Sequence, residues 1–277
     1  MPDCLLAFAP HPDDAEFAAG GTLAHYARSG WDVHLVIATD GRKGSFHFSE
    51  SDLPDLRREE ARRACLVLGA QPPIFLPFGD LELDSLAPGE LRESCIRWIR
   101  SLQPRLVVAP DAFGLPDPHP DHRALAMAVS DALGMSFLPL VHPEHVRAGW
   151  APHFVVDKLF YGALPAQVNH VQDIQGTLAV KIAAISEHRT QVEFLVEDVV
   201  RQAKQAGLDL ASVLGEGEHD PWAALTWAVE TEAAAAGRLT GLPYAEVFRK
   251  ARFHPMIEGL LALRTDGGSR PANSSGA

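Results

Sequence analysis

A mostly parallel α/β sheet covered by helices on both faces is the fold this chain predicts, on three observations. Short apolar runs alternate with helix-length segments through the first half. The runs are apolar along their length, as in strands buried on both sides. Glycines stand where the helical patterns end, at Gly30 and Gly69. Repeated βα units of this kind build a parallel sheet.

In order, Cys4–Ala9 reads as a strand and Glu16–Ser29 as a helix, with Gly30 suited to its C-cap. Asp32–Thr39 is a strand of β-branched and apolar residues. Pro54–Leu68 is a helix ended by Gly69. Ile74–Leu76 is a short strand, and Gly89–Leu102 a helix with Ile96 and Ile99 on one face. Leu106–Ala109 and Asp121–Leu133 form the next strand and helix. The whole is a Rossmann-like three-layer sandwich, with ligand expected at the carboxyl ends of strands where strand order reverses. If the fourth strand lies beside the first, the loops at His11–Asp14 and Pro110–His122 meet.

The second half is less regular and reads as an irregular α/β C-terminal extension of the same domain, residues 1–264. Lys158–Gly162 and His170–Asp173 are strand candidates. Leu178–Arg189, Gln191–Ala206 and Trp222–Gly237 are helix candidates, the last two joined by a loop around Gly215–Asp220. Residues 265–277, rich in Gly, Ser, Pro and Asn, read as a disordered tail.

Composition narrows the function. The chain of 277 residues carries a net charge of -12. That balance argues against nucleic acid or an anionic membrane as partner, since either favours a basic face. No apolar run is long enough to cross a bilayer, and no basic segment followed by an apolar stretch opens the sequence. Cys4, Cys65 and Cys95 form no C-x-x-C and read as buried free thiols of a reducing compartment. A cytoplasmic location is therefore expected.

The chemistry concentrates in His11-Pro12-Asp13-Asp14 and His119-Pro120-Asp121-His122, each shortly after a strand. One His-Pro-Asp in a loop is more often a turn. Two of them, at strand ends that the topology brings together, point to a metal. A catalytic zinc takes three protein ligands and keeps an open position for water, whose pKa falls to about 7. Of two adjacent aspartates one can reach the metal, which leaves the other to serve as base. Of His119 and His122, one could ligate and the other could donate to a developing oxyanion. Asp121 could orient a histidine. An iron(II) oxygenase also uses two histidines and a carboxylate, but a second aspartate beside the ligand suits hydrolysis better. A dinucleotide fold lacks support, because no G-x-G-x-x-G follows the first strand.

At these residues the sequence resembles the LmbE-like (PIG-L) zinc de-N-acetylases. The carriers are Ala9-Pro10-His11-Pro12-Asp13-Asp14-Ala15-Glu16 followed by Gly20-Gly21-Thr22-Leu23-Ala24, and His119–His122. Thr39-Asp40-Gly41 with Gly44, Arg57-Arg58-Glu59-Glu60-Ala61, Lys181 to His188-Arg189-Thr190-Gln191, and Pro243 to Phe248 extend the likeness to about Leu263. Pro10 and Ala15 depart from the family pattern without touching a ligand position.

The resemblance implies that His11, Asp14 and His122 hold zinc and that Asp13 is the general base. It implies that His119, oriented by Asp121, stabilises the tetrahedral intermediate and protonates the leaving amine. Asp40, Arg57, Asp80, His188 and His254 become candidate substrate contacts. For Arg57 the competing reading is a solvated helix face, since residues 57–63 form a charge run with i,i+3 and i,i+4 pairs. His188 could simply cap its helix. Within the family the chain looks most like diacetylchitobiose deacetylases, with the N-acetylglucosaminyl-malate deacetylases of bacillithiol synthesis close behind. Both imply a small amino-sugar substrate and a homo-oligomer, with a hexamer favoured. The diacetylchitobiose-deacetylase likeness adds His254, which could reach a neighbouring subunit's site or simply be a surface histidine beside a proline turn. An inactive sugar-binding homologue is disfavoured, because every ligand position and the base are intact.

Overall fold

The structure, a computed structural model, describes residues 2–114, 118–208, 220–252, 256, 257 and 260. Its elements are β1 (Cys4–Ala9), α1 (Asp14–Arg28), β2 (Asp32–Thr39), α2 (Leu53–Leu68), β3 (Ile74–Phe78), α3 (Glu90–Leu102), β4 (Leu106–Pro110) and α4 (Pro120–Met135). The chain continues through α5 (Pro143–Arg147), β5 (Asp157–Tyr161), β6 (His170–Asp173), α6 (Leu178–Ser186), α7 (Arg189–Gln205), α8 (Pro221–Gly237) and β7 (Ala245–Ala251).

The seven strands form one sheet in the order β3-β2-β1-β4-β5-β7-β6. From β1 to β5 the pairings are parallel, and β7 runs antiparallel to both β5 and β6. Strand order reverses between β1 and β4, which pair directly from Leu5↔Leu106 to Ala7↔Val108. The expected meeting of the two motif loops therefore occurs.

Successive strand residues face opposite sides, so each central strand feeds two cores. Leu6, Phe8, Val36 and Val107 pack with Ile96 and Ile99 of α3 and Leu125 and Val129 of α4. Leu5, Ala7, Leu35 and Val108 pack with Leu23 of α1 and with Cys65 and Leu68 of α2. A third cluster, including Ile174, Ile185, Val192 and Leu225, joins α6, α7 and α8 outside that second core. The three layers are those expected from the βα alternation.

The departures from expectation have local causes. β3 runs on through Pro77 to Phe78, since it is an edge strand and a missing amide there breaks no ladder bond. The helix expected over 178–189 ends at Ser186 and the one expected over 191–206 begins at Arg189, because His188 leaves the helical region at φ -81°, ψ 60°. Buried Glu60 of α2 then caps the new helix, accepting from Thr190 N (3.0 Å) and Thr190 Oγ1 (2.7 Å). The less regular second half adds three strands to the same sheet. β7 was visible in sequence only as part of a motif. Its Ala-Glu-Val-Phe-Arg-Lys-Ala composition carries no clean alternation.

A candidate metal centre at the switch point

The loops after β1 and β4 bring six titratable residues together. His11 Nδ1 lies 3.1 Å from Asp14 Oδ2. His122 Nε2 lies 3.2 Å from that same His11 Nδ1 and 3.4 Å from Asp14 Oδ2. Two imidazole nitrogens and a carboxylate oxygen thus face one another in a triangle. Ligands about 2.0–2.1 Å from a tetrahedral zinc stand roughly 3.3–3.4 Å apart. The triangle fits that ion with little adjustment, and the donor set suits it chemically.

His119 is a rival third ligand, since its ring nitrogen lies within 4.8 Å of those of His11 and His122. Its local bonding argues otherwise. His119 is the N-cap of α4, and its Nδ1 accepts from the Asp121 backbone N–H at 3.3 Å. That bond leaves the ring proton on Nε2, which makes the side chain a hydrogen-bond donor. Burial, reinforced by the positive charges of His11 and His122, lowers its pKa and keeps it neutral.

The other nitrogen of His11 faces carboxylates. Nε2 stands 3.1 Å from Asp80 Oδ1 and 3.3 Å from Asp121 Oδ2. A proton held on Nε2 leaves the Nδ1 lone pair aimed into the triangle, as carboxylate–histidine–metal arrangements require. Burial alone would disfavour the His11 imidazolium, but hydrogen bonds to Asp121, Asp14 and Asp80 outweigh it and hold its pKa well above the ordinary value. The pocket is therefore built for positive charge. Against its own burial, Asp14 is pulled down to about 2 by His11 and His122.

Asp121 does serve a histidine, but its carboxylate serves His11, while only its backbone amide serves His119. Its oxygens also accept from Leu81 N at 2.7 Å and Leu83 N at 3.1 Å.

Asp13 sits beside the triangle in a strained backbone, at φ 131°. Such a conformation costs a non-glycine residue about 1–3 kcal/mol and persists only where neighbours fix it. Arg57 supplies the fixing. Its Nη2 donates to Pro12 O (2.7 Å) and Asp13 Oδ1 (3.1 Å), and its Nη1 to Gly41 O (2.9 Å). Gly41, itself at φ +65°, must lack a side chain, since a Cβ there would stand 2.2 Å from Arg57 Nη1. Burial raises the Asp13 pKa to about 6, with Arg57 opposing and Asp14 adding to the rise.

The remaining residues expected at the substrate lie under the site. Asp40, Arg57, Asp80 and His188 are all at most 5 % exposed and have partners within the chain. Asp40 makes a forked pair with Arg42 (Nε to Oδ1 3.0 Å, to Oδ2 2.9 Å). Asp80 divides its oxygens between His11 and Lys43 N at 2.9 Å, and that company draws its pKa down despite burial. His188 is fully buried 3.4 Å from Glu16. Burial opposes its protonation, but Glu16 and the Asp13 charge raise its pKa. In this geometry all four act as positioning groups around the triangle. His254 lies outside the described residues.

Two features went unread in the sequence. Glu60 and Arg57 are i,i+3 neighbours that turn inward from a run otherwise solvated, and that spacing was a usable signal. Glu246 of β7 joins the distant Gly20-Gly21-Thr22 and Lys181 motifs. It accepts from Gly21 N (2.9 Å), Thr22 N (2.8 Å) and Lys181 Nζ (2.7 Å), all buried.

Two cavities flank the triangle. One, of about 380 Å³, is lined by Pro110, Asp111, Gly114, His122, Arg123 and Tyr161 among others. Asp111 is locked by Arg249, whose Nε donates to Oδ2 at 2.6 Å. The other, also about 380 Å³, opens beside Asp14, and Tyr161 and Gly162 line both.

A doubly wound sheet carrying paired His/Asp loops at its switch point matches the PIG-L family model, described as GlcNAc-PI de-N-acetylase, over residues 6–133. The chain belongs to this family. It is 32 % identical over 189 residues to a diacetylchitobiose deacetylase of Thermococcus kodakarensis, covering 68 % of this chain and 69 % of that one. It is 32 % identical over 208 residues to a probable N-acetyl-α-D-glucosaminyl L-malate deacetylase of Bacillus anthracis, covering 72 % and 85 %. Its fold superposes with a TM-score of 0.75 on the inhibitor-bound N,N'-diacetylchitobiose deacetylase of Pyrococcus horikoshii, at 26 % identity, covering 90 % of this chain and 84 % of that one. Among the described residues no helix is long and apolar enough to cross a membrane.

Proposed function

We propose that this chain is a zinc-dependent deacetylase that hydrolyses the acetamide of a small N-acetylglucosamine-containing molecule. Diacetylchitobiose and N-acetylglucosaminyl-malate are the leading substrates, by analogy with what the relatives' names state. The observation that carries the reading is the donor triangle of His11, Asp14 and His122 with a separate buried carboxylate, Asp13, beside it.

In this reading His11 Nδ1, Asp14 and His122 Nε2 hold the metal. A zinc ion there supplies Lewis acidity toward the amide carbonyl and a water that ionises near neutral pH. Asp13 accepts the proton of the attacking water. A carboxylate with pKa near 6 suits that task close to neutrality. Arg57 keeps Asp13 aligned and ionised. Neutral His119 donates a hydrogen bond from Nε2 to the developing oxyanion. Once the C–O bond has formed, Asp13 returns the water's proton to the leaving nitrogen and the C–N bond breaks, giving acetate and a free amine. Asp80 and Asp121 fix the His11 ring throughout.

The test is acetate release from N-acetylglucosamine, diacetylchitobiose and N-acetylglucosaminyl-malate by metal-quantified protein under argon. Turnover with zinc alone supports the hydrolase. A strict need for iron and oxygen would instead mean an oxygenase using the same ligands.

A further inference from the structure

We propose that the site accepts N-acyl groups longer than acetyl, held in the cavity beside Asp14. This rests on the deacetylase reading of the same site and extends its substrate class to N-acyl amino sugars with a linear alkyl chain.

The scissile amide has two directions to fill, and the two cavities that flank the triangle supply them. The sugar takes the His122 side, where Arg123 lines the first cavity. The carbonyl carbon has one substituent left, the acyl chain, and it points the other way. The Asp14 side is where the second cavity opens.

That cavity is far larger than acetate needs. A methyl group is about the size of a water molecule, whose share of volume is about 30 Å³. The cavity measures about 380 Å³. Its walls are mostly small and apolar, with Phe17 and Ala18 from α1, Ala163 after β5, Ala236 from α8 and Val247 from β7. Two of its charged members, Lys181 and Glu246, are paired with each other at 2.7 Å, and Glu246 is further tied by the Gly21 and Thr22 amides. Asp14 belongs to the triangle, and Glu232 is exposed to solvent. An alkyl chain finds apolar walls here, whereas a second sugar ring finds few uncommitted hydrogen-bonding groups.

The experiment is a chain-length series on the zinc-loaded wild-type protein: N-acetyl-, N-butyryl-, N-hexanoyl- and N-octanoylglucosamine, with free amine as the readout. kcat/KM for hexanoyl should equal or exceed that for acetyl, with a ceiling of roughly fourfold gain per methylene buried. A hexanoyl value below the acetyl value overturns the proposal while leaving the deacetylase intact. No amine from any member overturns the deacetylase reading and the proposal with it. Ala236→Phe and Ala163→Phe fill the cavity from two different walls. In each variant that keeps its far-UV spectrum and zinc content, the hexanoyl-to-acetyl ratio should drop at least tenfold. An unchanged ratio in both places the chain elsewhere and overturns the assignment of this cavity.

Discussion

Replacing Arg57 separates two roles that the sequence left balanced. If the guanidinium touched substrate, its loss would raise KM and leave the base unaffected. In the structure it is 3 % exposed and donates to Pro12 O, Gly41 O and Asp13 Oδ1. Arg57→Met removes the only cation bonded directly to the Asp13 carboxylate among the described residues. Breaking such a buried pair costs about 3–5 kcal/mol. At about 2–4 °C per kcal/mol for a chain of this size, Tm should fall by roughly 6–20 °C. The chemistry should shift as well. Arg57 is the largest influence holding down an Asp13 pKa that burial has raised to about 6. Without it Asp13 binds its proton more tightly, so the acid limb of kcat/KM moves to higher pH. Arg57→Lys keeps a charge but loses the fork, and should fall between wild type and the methionine variant on both counts. The assays are calorimetry and a pH profile of kcat/KM at constant zinc content. A folded Arg57→Lys protein with an unshifted acid limb and only a raised KM would refute the positioning role.

Four further outcomes are expected. Asp13→Asn should retain zinc and lose about a hundredfold to ten-thousandfold in rate. The wild-type acid limb should lie at or below pH 6, because the base must be ionised and a bound dication can only lower its pKa further. His122→Ala should lose metal, whereas His119→Ala should keep it and lose kcat. Elemental analysis showing the reverse would exchange the two histidines. Glu246→Gln strips the buried partner of Lys181 and should cost about 3–5 kcal/mol in denaturant unfolding; a change under 1 kcal/mol would show that the amide hydrogen bonds suffice.

Much of this architecture was legible because parallel strands buried on both faces leave a strong mark. β1 and β2 match their expected bounds residue for residue. The proximity of His11 to His122 followed from topology alone. What escaped depended on contacts far apart in sequence. Nothing local tells that the break expected near Thr190 falls instead at His188, so that its ring can be buried near Glu16. Nor does a carboxylate in a strand-end turn reveal whether it faces solvent or a histidine behind it, as Asp80 does. Asp40, Arg57, Asp80 and His188 were recognisable as important, but their inward direction was set by the surrounding elements.

If the triangle holds a metal, the three carboxylates around His11 make its uptake an exchange of ions. With no dication present, Asp14, Asp80 and Asp121 keep the imidazole protonated at neutral pH. A metal arriving at Nδ1 must therefore expel a proton, and its apparent affinity should weaken about tenfold for each unit of pH below the His11 pKa. Titration calorimetry in buffers of different ionisation enthalpy would count that proton. Acidification would unload the protein without unfolding it, so zinc content and activity should fall together while the sheet stays intact.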